Sequence, residues 1–328
     1  MLPNVARRSV VRGVGGYLPP KCITNADLAT NLDTTDEWIV ERTGMKQRHV
    51  LADGQNTSDL AAEAAKLALA DAGFDVQTID LIVVATVTPD HPFPATAARV
   101  QAKIGASKAF AFDVNAVCSG FIYALSVADQ YLKTGMAKRV LVIGADAMSK
   151  IVDWNDRATA VLFGDGAGAL VLEAVDESHV DYERGIHSTH LFSDGCHYDL
   201  LYVNTDLATA AQPGHVHMQG REIFKSAIKL IGEAVETVLS SNNITIADID
   251  WFVPHQANLR IIEGISVHFK IPMEKMVVTV DRHSNTSAAT IPLALWEAAR
   301  DGRIQKNHQV VLEAMGGGLT WASALVKW

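Results

Sequence analysis

Two stretches, Thr78-Ile-Asp-Leu-Ile-Val83 and Ala247-Asp-Ile-Asp-Trp-Phe-Val253, decide the fold of this chain because they carry the same pattern of residues. Each places an aspartate before an apolar run, and these aspartates, Asp80 and Asp250, are 170 positions apart. Turns rich in small residues, helices and further apolar runs recur after both stretches at nearly the same offset. An internal repeat of this length predicts that one structural unit occurs twice in the chain.

The repeated unit alternates short apolar runs with helical periods. Arg139-Val-Leu-Val-Ile-Gly144 and Gln309-Val-Val-Leu-Glu-Ala314 are typical of strands covered on both faces. Residues 58–72 carry an apolar stripe at helical spacing, with start and stop signals at its ends. This alternation predicts an α/β layered fold. We expect two halves, residues 1–173 and 174–328, that share one body because no Pro- or Ser-rich linker separates them.

The sequence contains no motif with the spacing of a metal site or a dinucleotide site. The second half opens with residues 187–217, which we predict to be a long loop of the kind that often forms a lid or a binding surface. Five histidines lie in this segment, but no metal-binding pattern occurs there or elsewhere, and we expect no metal. Phe163-Gly-Asp-Gly-Ala-Gly168 lacks the spacing of a dinucleotide site, and an apolar strand follows it where a helix would have to begin.

Composition narrows the possible partners. The chain has 328 residues, of which 48% are hydrophobic and 20% are charged, and its formal net charge is −9. A chain this acidic is a poor partner for nucleic acid or an anionic membrane surface, and no run is long enough for a membrane-spanning helix. Its three cysteines form no CxxC pair, which favours a reducing compartment, and no signal peptide is evident. We expect a cytoplasmic protein.

Cys118 is the strongest candidate for a nucleophile. It lies in Asn115-Ala-Val-Cys-Ser-Gly120, directly after a predicted strand and at the start of a predicted helix over 121–133. Small neighbours permit a tight turn, and a helix N-terminus favours the thiolate form of a cysteine. The arrangement is similar to the nucleophile elbow of hydrolases, with cysteine in place of serine. Cys22 and Cys196 lack this setting, and we expect both to be inert.

Two polar residues and a glycine turn occur at comparable places in the second half. His255 follows a predicted strand, at the kind of sheet edge where α/β proteins meet their ligands. Asn285 lies in the turn that corresponds to that of Cys118. Gly316-Gly-Gly318 would let backbone N–H groups approach a ligand, as an oxyanion hole requires. From these residues alone, a capping role for Asn285 and a plain turn at the glycines stay open.

Together these motifs resemble those of one family, β-ketoacyl-acyl-carrier-protein synthase III. The resemblance runs in order from about Gly13 to Trp328 and implies an α/β, thiolase-like fold of two duplicated α/β halves in a five-layer αβαβα arrangement. The motifs that carry it are Thr34-Thr-Asp-Glu-Trp-Ile39, Arg42-Thr-Gly44, Phe163-Gly-Asp-Gly-Ala-Gly168, Ala116-Val-Cys-Ser-Gly-Phe121, Pro254-His-Gln-Ala-Asn-Leu-Arg260, Asn285-Thr-Ser-Ala-Ala289 and Gly316-Gly-Gly-Leu-Thr-Trp321.

The resemblance implies roles for individual residues. Cys118, His255 and Asn285 would form a catalytic triad, with the N–H groups of Cys118 and Gly318 as the oxyanion hole. Trp38 and Arg157 would sandwich the adenine of coenzyme A. The remaining assignments are Thr34 and Arg42 beside that adenine, Phe224, Ala257 and Asn258 along the inner tunnel, Phe93 in the partner's acyl pocket across a dimer interface, and Lys225 and Arg260 in a patch for the carrier protein.

The implied reaction is a decarboxylative Claisen condensation. A short acyl-CoA primer, which we expect to be acetyl-CoA, would acylate Cys118 and then condense with malonyl-acyl-carrier-protein. The products would be a 3-oxoacyl-acyl-carrier-protein, coenzyme A and CO2, and the reaction would initiate fatty acid biosynthesis. The resemblance implies a homodimer and no cofactor, since acyl-CoA enters as a substrate. Ser284 and Ser119 stand where the family commonly has Gly and Ala, and we expect neither to change the chemistry.

Three alternatives remain to be weighed. A related condensing enzyme of secondary metabolism would use a different primer. A cysteine-dependent α/β hydrolase would need an acid followed by a late histidine, whereas here Asn285 and a glycine turn follow His255. A non-catalytic relative would be expected to lack the nucleophile, but Cys118 is present.

Overall fold

The computed structural model describes residues 6–205 and 214–328. Strands in the first half form one five-stranded sheet and a small ribbon, and those in the second half form a four-stranded sheet and another ribbon. In chain order the strands are β1 (Arg7–Tyr17), β2 (Cys22–Thr24), β3 (Gln47–His49), β4 (Leu81–Ala85), β5 (Phe110–Val114), β6 (Arg139–Ala147), β7 (Asp165–Asp176), β8 (Gly185–Ser193), β9 (Leu201–Val203), β10 (Val216–Met218), β11 (Trp251–Pro254), β12 (Gln309–Gly316) and β13 (Thr320–Lys327).

The helices connect these strands and cover the sheets. In chain order they are α1 (Asn25–Ala29), α2 (Asp36–Thr43), α3 (Thr57–Ala72), α4 (Thr96–Ile104), α5 (Gly120–Thr134), α6 (Arg157–Ala160), α7 (Gly220–Ser241), α8 (Leu259–Phe269), α9 (Val280–His283) and α10 (Thr290–Arg300). Across the described ranges, none of these helices is both long and apolar enough to cross a bilayer.

The two large sheets have matching strand orders. The first runs β1-β7-β6-β4-β5, and the second runs β8-β13-β12-β11. In each sheet the corresponding pair of strands, β4 with β6 and β11 with β12, is parallel. The counterpart of β5 is reduced to a single bridge between Phe252 and Met276 at the free edge of β11. This shared order agrees with the repeat read from the sequence.

Alternating side chains on the strands divide the molecule into layers. On β4, Val83 packs into the core that contains α5 and α10, whereas Val84 packs against α3 and α4. On β12, Leu312 enters the same α5 and α10 core, whereas Val311 packs against α7 and α8. Helices α5 and α10 therefore lie between the sheets, and the order is helix, sheet, helix, sheet, helix. The predicted α/β layered fold is confirmed.

Two matching turns, one before α5 and one before α10, lie at the candidate site residues Cys118 and Asn285. Each is a short 3₁₀ turn, Val117–Ser119 in one half and Ser287–Ala289 in the other. Val117 and Ser287, which are 170 positions apart, have positive φ angles of 48° and 52°. That region is unfavourable for non-glycine residues and above all for a β-branched one. The same strained turn therefore occurs at the same place in both halves.

Some sequence expectations need correction. Within the predicted loop over 187–217, the residues up to Ser193 belong to β8, which pairs with β13, and only residues 206–213 of the segment lie outside the described part. Strand β7 continues to Asp176, so a division between residues 173 and 174 would fall inside it. We propose that the halves divide between the end of β7 and the start of β8.

Candidate active site

Three residues predicted from the sequence line one cavity at the junction of the halves. Cys118 lies on the turn before α5, His255 follows β11, and Asn285 follows α9. All three are buried. Apart from a few polar groups the lining is apolar, because α7 and α8 supply Ile223, Phe224, Ala227, Ile231, Ile261 and Ile265. An acyl chain or a pantetheine arm fits such a lining.

Cys118 is a neutral thiol in this structure. Burial raises the pKa of Cys118 to about 12, and the nearby Asp146 carboxylate adds to that rise. Sequence analysis predicts that the helix N-terminus favours the thiolate, and desolvation of the buried thiol opposes that effect. Attack by sulfur then needs a base that takes the proton as the reaction proceeds.

His255, which lines the same cavity, is the candidate for that base. Burial lowers the pKa of His255 to about 3, so the imidazole is neutral. Its Nδ1 atom lies 2.6 Å from the hydroxyl of Thr290, at the first position of α10. That hydroxyl is also 3.1 Å from the carbonyl oxygen of Ser287. One ring nitrogen is thus held by a hydroxyl that can either donate or accept, which leaves Nε2 for the cavity.

The amide of Asn285 has a fixed orientation. Its Oδ1 accepts a 2.9 Å hydrogen bond from the backbone N–H of Ser287. Its backbone is tied to the motif over 163–168, since Asn285 donates to the carbonyl of Leu162 and accepts from the N–H of Gly164. Because Oδ1 is engaged, the Asn285 side chain presents its N–H₂ group to the cavity.

The glycine-rich motif over 163–168 therefore has a structural role. A Cβ atom at Gly164 would lie 2.4 Å from the hydroxyl of Ser284, so only glycine lets this strand approach the turn before Asn285. Asp165 accepts hydrogen bonds from the backbone N–H groups of Leu51 and Ser149. No feature here is typical of nucleotide binding.

The glycine turn after β12 packs against the nucleophile. A Cβ atom added to Gly316 would lie 2.6 Å from the backbone nitrogen of Cys118, so this position needs glycine. Gly318, which sequence analysis selected for the oxyanion hole, has a φ of 128° and lines a second cavity with Cys118. Gly318 therefore shares a cavity with Cys118, and Gly316 packs against the Cys118 backbone.

This second cavity also reaches Cys118, and its lining could not be predicted from the sequence. Its lining is mostly apolar and includes Val87, Met148, Ile151, Phe163, Leu201, Val203 and Val216. These residues come from five separate segments, so no local motif marks them. Thr290 and Glu313 were missed for a similar reason, because their sequence context is that of a helix start and a core strand.

The predicted adenine site is closed in this structure. The Arg157 guanidinium carbon lies 4.8 Å from the centre of the Trp38 ring, and that of Arg42 lies 4.5 Å from it. Arg157 also donates to the carbonyl oxygen of Asp33. A flat base needs about 3.5 Å on each face, or about 7 Å in all, so Arg157 must move away from Trp38 to admit one. Thr34 lies beside this group, with its hydroxyl buried and unpaired among the described residues.

The other predicted binding residues lie between this site and the cavity. Asn258 caps α8 and also donates a 3.0 Å hydrogen bond to the carbonyl oxygen of Arg42, which joins α8 to α2. Ala257, Asn258 and Phe224 line the cavity, and Arg260 covers the Phe224 ring at 5.5 Å. The mouth of the cavity is therefore continuous with the arginine pair.

Lys225 and Phe93 also line neither of the cavities at Cys118. Lys225 is exposed on α7 and forms an ion pair of 2.9 Å with Glu222. Phe93 is 84% exposed, in the loop before α4, and lines neither of the cavities at Cys118. Their expected roles require a partner molecule.

Family models and curated relatives of this chain give the same family. The models described as 3-oxoacyl-[acyl-carrier-protein] synthase III and its C-terminal domain match residues 112–195 and 239–328. A β-ketoacyl-[acyl-carrier-protein] synthase III of Paramagnetospirillum magneticum is 57% identical over 98% of this chain and 99% of its own length. The crystal structure of 3-oxoacyl-[acyl-carrier-protein] synthase III from Aquifex aeolicus has a TM-score of 0.91 and 42% identity, over 98% of this chain and all of that one.

A further solved structure is the priming β-ketosynthase of the R1128 polyketide pathway. It has a TM-score of 0.92 and 32% identity, and the match covers 99% of this chain and 98% of that one. Its identity is lower than that of the Aquifex enzyme, although the backbone similarity is equal. The chain belongs to the β-ketoacyl-[acyl-carrier-protein] synthase III family and is a condensing acyltransferase with the thiolase-like fold.

Proposed function

We propose that this protein condenses a short acyl-CoA, with acetyl-CoA as the expected primer, with malonyl-acyl-carrier-protein. The products are a 3-oxoacyl-acyl-carrier-protein, coenzyme A and CO2, and the reaction initiates fatty acid biosynthesis. The observation that carries the proposal is the meeting of Cys118, His255 and Asn285 in one buried cavity, in a chain whose relatives bear the synthase III name.

Acylation comes first, and it neither consumes nor releases a proton overall. The sulfur of Cys118 attacks the thioester carbonyl while its proton passes to Nε2 of His255. Coenzyme A then leaves as a thiolate and takes that proton back from the imidazolium. Backbone N–H groups of the Cys118 and glycine turns would stabilise the tetrahedral oxyanion, and loss of one such donor typically costs about 3 kcal/mol.

Decarboxylation and condensation need donors in place of a base. The neutral His255 can present Nε2–H when the hydroxyl of Thr290 donates to Nδ1, and Asn285 presents its N–H₂ group. Both would bind the malonyl thioester oxygen and stabilise the enolate that forms as CO2 leaves. The enolate carbon then attacks the acyl carbonyl on Cys118. These groups supply the chemistry without a cofactor.

The second cavity is the proposed acyl pocket. Met148, Phe163 and Leu201 are among its lining residues, and their bulk favours a short primer. We place the partner's Phe93 at this pocket in a homodimer. In support, β5 is the edge strand of its sheet, and Phe110 on that strand is 44% exposed. Pairing of two such edges would cover these surfaces.

The mouth of the cavity is the proposed site for both polyanionic carriers. Trp38 and Arg157 would open to hold the adenine, with Thr34 and Arg42 beside it. Arg260 and Lys225 would face the acidic carrier protein, for which Lys225 would exchange its ion pair with Glu222. The three free cysteines favour a reducing compartment, and we place the enzyme in the cytoplasm.

A condensing enzyme of secondary metabolism is the second candidate. The specific observation in its favour is the equally close backbone similarity to a priming β-ketosynthase of a polyketide pathway. The two candidates share Cys118, His255 and Asn285 and differ in the primer. A panel of acyl-CoA primers of increasing length and branching separates them.

The test is a condensation assay with purified protein, malonyl-acyl-carrier-protein and each primer. We expect acetyl-CoA to give the highest kcat/KM and a 3-oxoacyl product on the carrier protein. Asn285→Ala should keep acylation of Cys118 but lose malonyl decarboxylation. His255→Ala should slow acylation as well, because the imidazole takes the proton of Cys118 in that step. A preference for a long or aromatic primer would favour the second candidate, and absence of any condensed product would contradict both.

A further inference from the structure

The carboxyl group of Glu313 is buried in the wall of the active-site cavity without a partner. Glu313 is 1% exposed, and neither Oε1 nor Oε2 has a hydrogen-bond partner within the described residues. Its side chain lines the same cavity as Cys118 and His255. The two residues also touch through the backbone, since the N–H of His255 donates a 2.8 Å hydrogen bond to the carbonyl oxygen of Glu313.

Packing does not explain this carboxyl. Glu313 lies on β12 between Pro254 of β11 and Ser323 of β13. The hydroxyl of Ser323 donates to the carbonyl of Ala234 instead of to Glu313. On the same face of β12, Val311 and Met315 are apolar and contribute to the core. A buried carboxyl without a partner costs free energy, so its partner has to come from what enters the cavity.

The proposed reaction consumes one proton whose source has not been assigned, and a protonated carboxyl group such as that of Glu313 can supply it. Acylation is balanced, because the proton of the Cys118 thiol leaves on coenzyme A. In condensation, the carboxylate of the malonyl group leaves as CO2, and the enolate carbon that remains bonds to the acyl carbonyl and expels Cys118 as a thiolate. One proton must then reach this buried sulfur before the next turnover.

We propose that Glu313 is the acid that supplies this proton, passing it to the Cys118 thiolate through His255 or a water molecule in the cavity. The inference rests on the proposed function. In the step, the O–H bond of the Glu313 carboxyl breaks and the S–H bond of Cys118 forms. Glu313 is left as a carboxylate and recovers its proton from solvent when the cavity mouth is open.

The surroundings of Glu313 favour the acid form. Burial alone raises the pKa of Glu313 to about 8. The helices packed against this face offer no charge to the cavity, since α7 and α8 line it near Glu313 with Ala227, Ile231 and Ile265. Cys118 and His255 are the other titratable groups of the lining, and both are neutral at rest. The protonated carboxyl is the active form, so condensation should slow as pH rises through about 8.

The experiment compares the two half-reactions in wild type and Glu313→Gln. Glutamine keeps the shape and hydrogen-bonding capacity but cannot deliver a proton. Acylation is followed by intact-mass spectrometry with acetyl-CoA, and condensation by steady-state turnover with malonyl-acyl-carrier-protein from pH 6 to 9. Glu63→Gln is the control, because it makes the same amide replacement on the exposed face of α3. Thermal unfolding checks that each variant is folded.

We expect Glu313→Gln to acylate at a rate close to that of wild type, while its steady-state condensation falls about tenfold or more. The fall in wild-type kcat above pH 8 should be absent from the variant and present in Glu63→Gln. Equal loss of both half-reactions would overturn the inference, since it would mean that Glu313 only shapes the cavity. Unchanged turnover and pH profile would overturn it as well.

Two readouts separate this inference from the proposed function and from misfolding. A wild-type protein that makes no condensed product would contradict the proposed function itself, and with it the inference. If Glu313→Gln does not fold, the wild-type enzyme still decides the matter. Its kcat must then fall above about pH 8 and show a solvent deuterium isotope effect on condensation that acylation lacks. A flat profile without this effect would overturn the inference.

Discussion

The hydroxyl group of Ser119 lies 2.7 Å from that of Thr320, although the two residues are 201 positions apart. Ser119 directly follows the nucleophile, and Thr320 ends the glycine turn whose Gly316 packs against the backbone of Cys118. Both hydroxyls also lie within 3.0 Å of the carbonyl oxygen of Ala116. This small network holds the cysteine turn of one half against the glycine turn of the other.

Replacing Thr320 by valine should loosen that junction. Valine keeps the shape of threonine but removes the hydroxyl, and loss of a buried hydrogen bond costs about 1 kcal/mol of unfolding free energy. We also expect slower acylation of Cys118, because the oxyanion donors belong to the two turns. Urea unfolding and single-turnover acylation measure these effects. Thr237→Val, which removes an exposed hydroxyl from α7, is the control. Equal effects in both variants would contradict this role.

The contact between Thr290 and His255 gives a second prediction. Thr290→Val leaves Nδ1 of His255 without its 2.6 Å partner, so the ring loses the group that holds its orientation and tautomer. We expect malonyl decarboxylation to fall about tenfold, equivalent to about 1.4 kcal/mol of transition-state stabilisation. Thr290→Ser keeps the hydroxyl and should restore the rate. Equal rates of malonyl-acyl-carrier-protein decarboxylation by the Thr290→Val and Thr290→Ser enzymes would contradict this role of the Thr290 hydroxyl.

Ser284 is strained, and glycine should relieve the strain. Its φ of 58° and ψ of −164° lie in a region that is essentially restricted to glycine and costs about 1–3 kcal/mol for other residues. Ser284→Gly should therefore raise the free energy of unfolding by about 1 kcal/mol without changing turnover. Ser240→Gly in α7 is the contrasting control, since glycine in a helix destabilises. If Ser284→Gly instead lowers the free energy of unfolding, the hydroxyl of Ser284 stabilises the fold by more than its backbone strain destabilises it.

The raised pKa of Cys118 makes its resting reactivity predictable. With a pKa of about 12, the thiol is protonated at pH 7.5, whereas Cys22 and Cys196 are exposed. Iodoacetamide at pH 7.5 should therefore alkylate the exposed cysteines first, and Cys118 should react faster as pH rises. Peptide mapping over time measures the order. Preferential alkylation of Cys118 at neutral pH would instead indicate a preformed thiolate–imidazolium pair.

The sequence was sufficient for features that repeat or form local motifs. The apolar runs at Leu81 and Trp251 begin strands of the two large sheets, and the repeat of 170 positions extends to the positive φ angles of Val117 and Ser287. Cys118 could be selected because a strand, small residues and a helix start surround it. Periodicity and turn chemistry are local properties, and they can be read without the fold.

Features that depend on distant contacts could not be read. Strand β8 was interpreted as a loop because its residues, such as His187 and His190, are polar, and pairing with β13 stabilises it instead. Thr290 looks like an ordinary helix start, and Glu313 interrupts a core strand without any local sign of the cavity. The pKa of Cys118 depends on how deeply the folded chain buries it. The local sequence shows that Cys118 begins a helix, but it does not show how deeply the thiol is buried.

One measurement tests the central claim most directly, namely transfer of an acyl group from acetyl-CoA to Cys118 and on to the malonyl unit. The protein is incubated with acetyl-CoA, its intact mass is recorded, and the modified peptide is mapped before and after addition of malonyl-acyl-carrier-protein. We predict a single acetyl group on Cys118, its discharge by malonyl-acyl-carrier-protein with formation of the 3-oxoacyl product, and no adduct in Cys118→Ser. Two results would contradict the role of Cys118. One is an acetyl adduct on Cys22 or Cys196 alone, and the other is condensation by the Cys118→Ala variant at the wild-type rate.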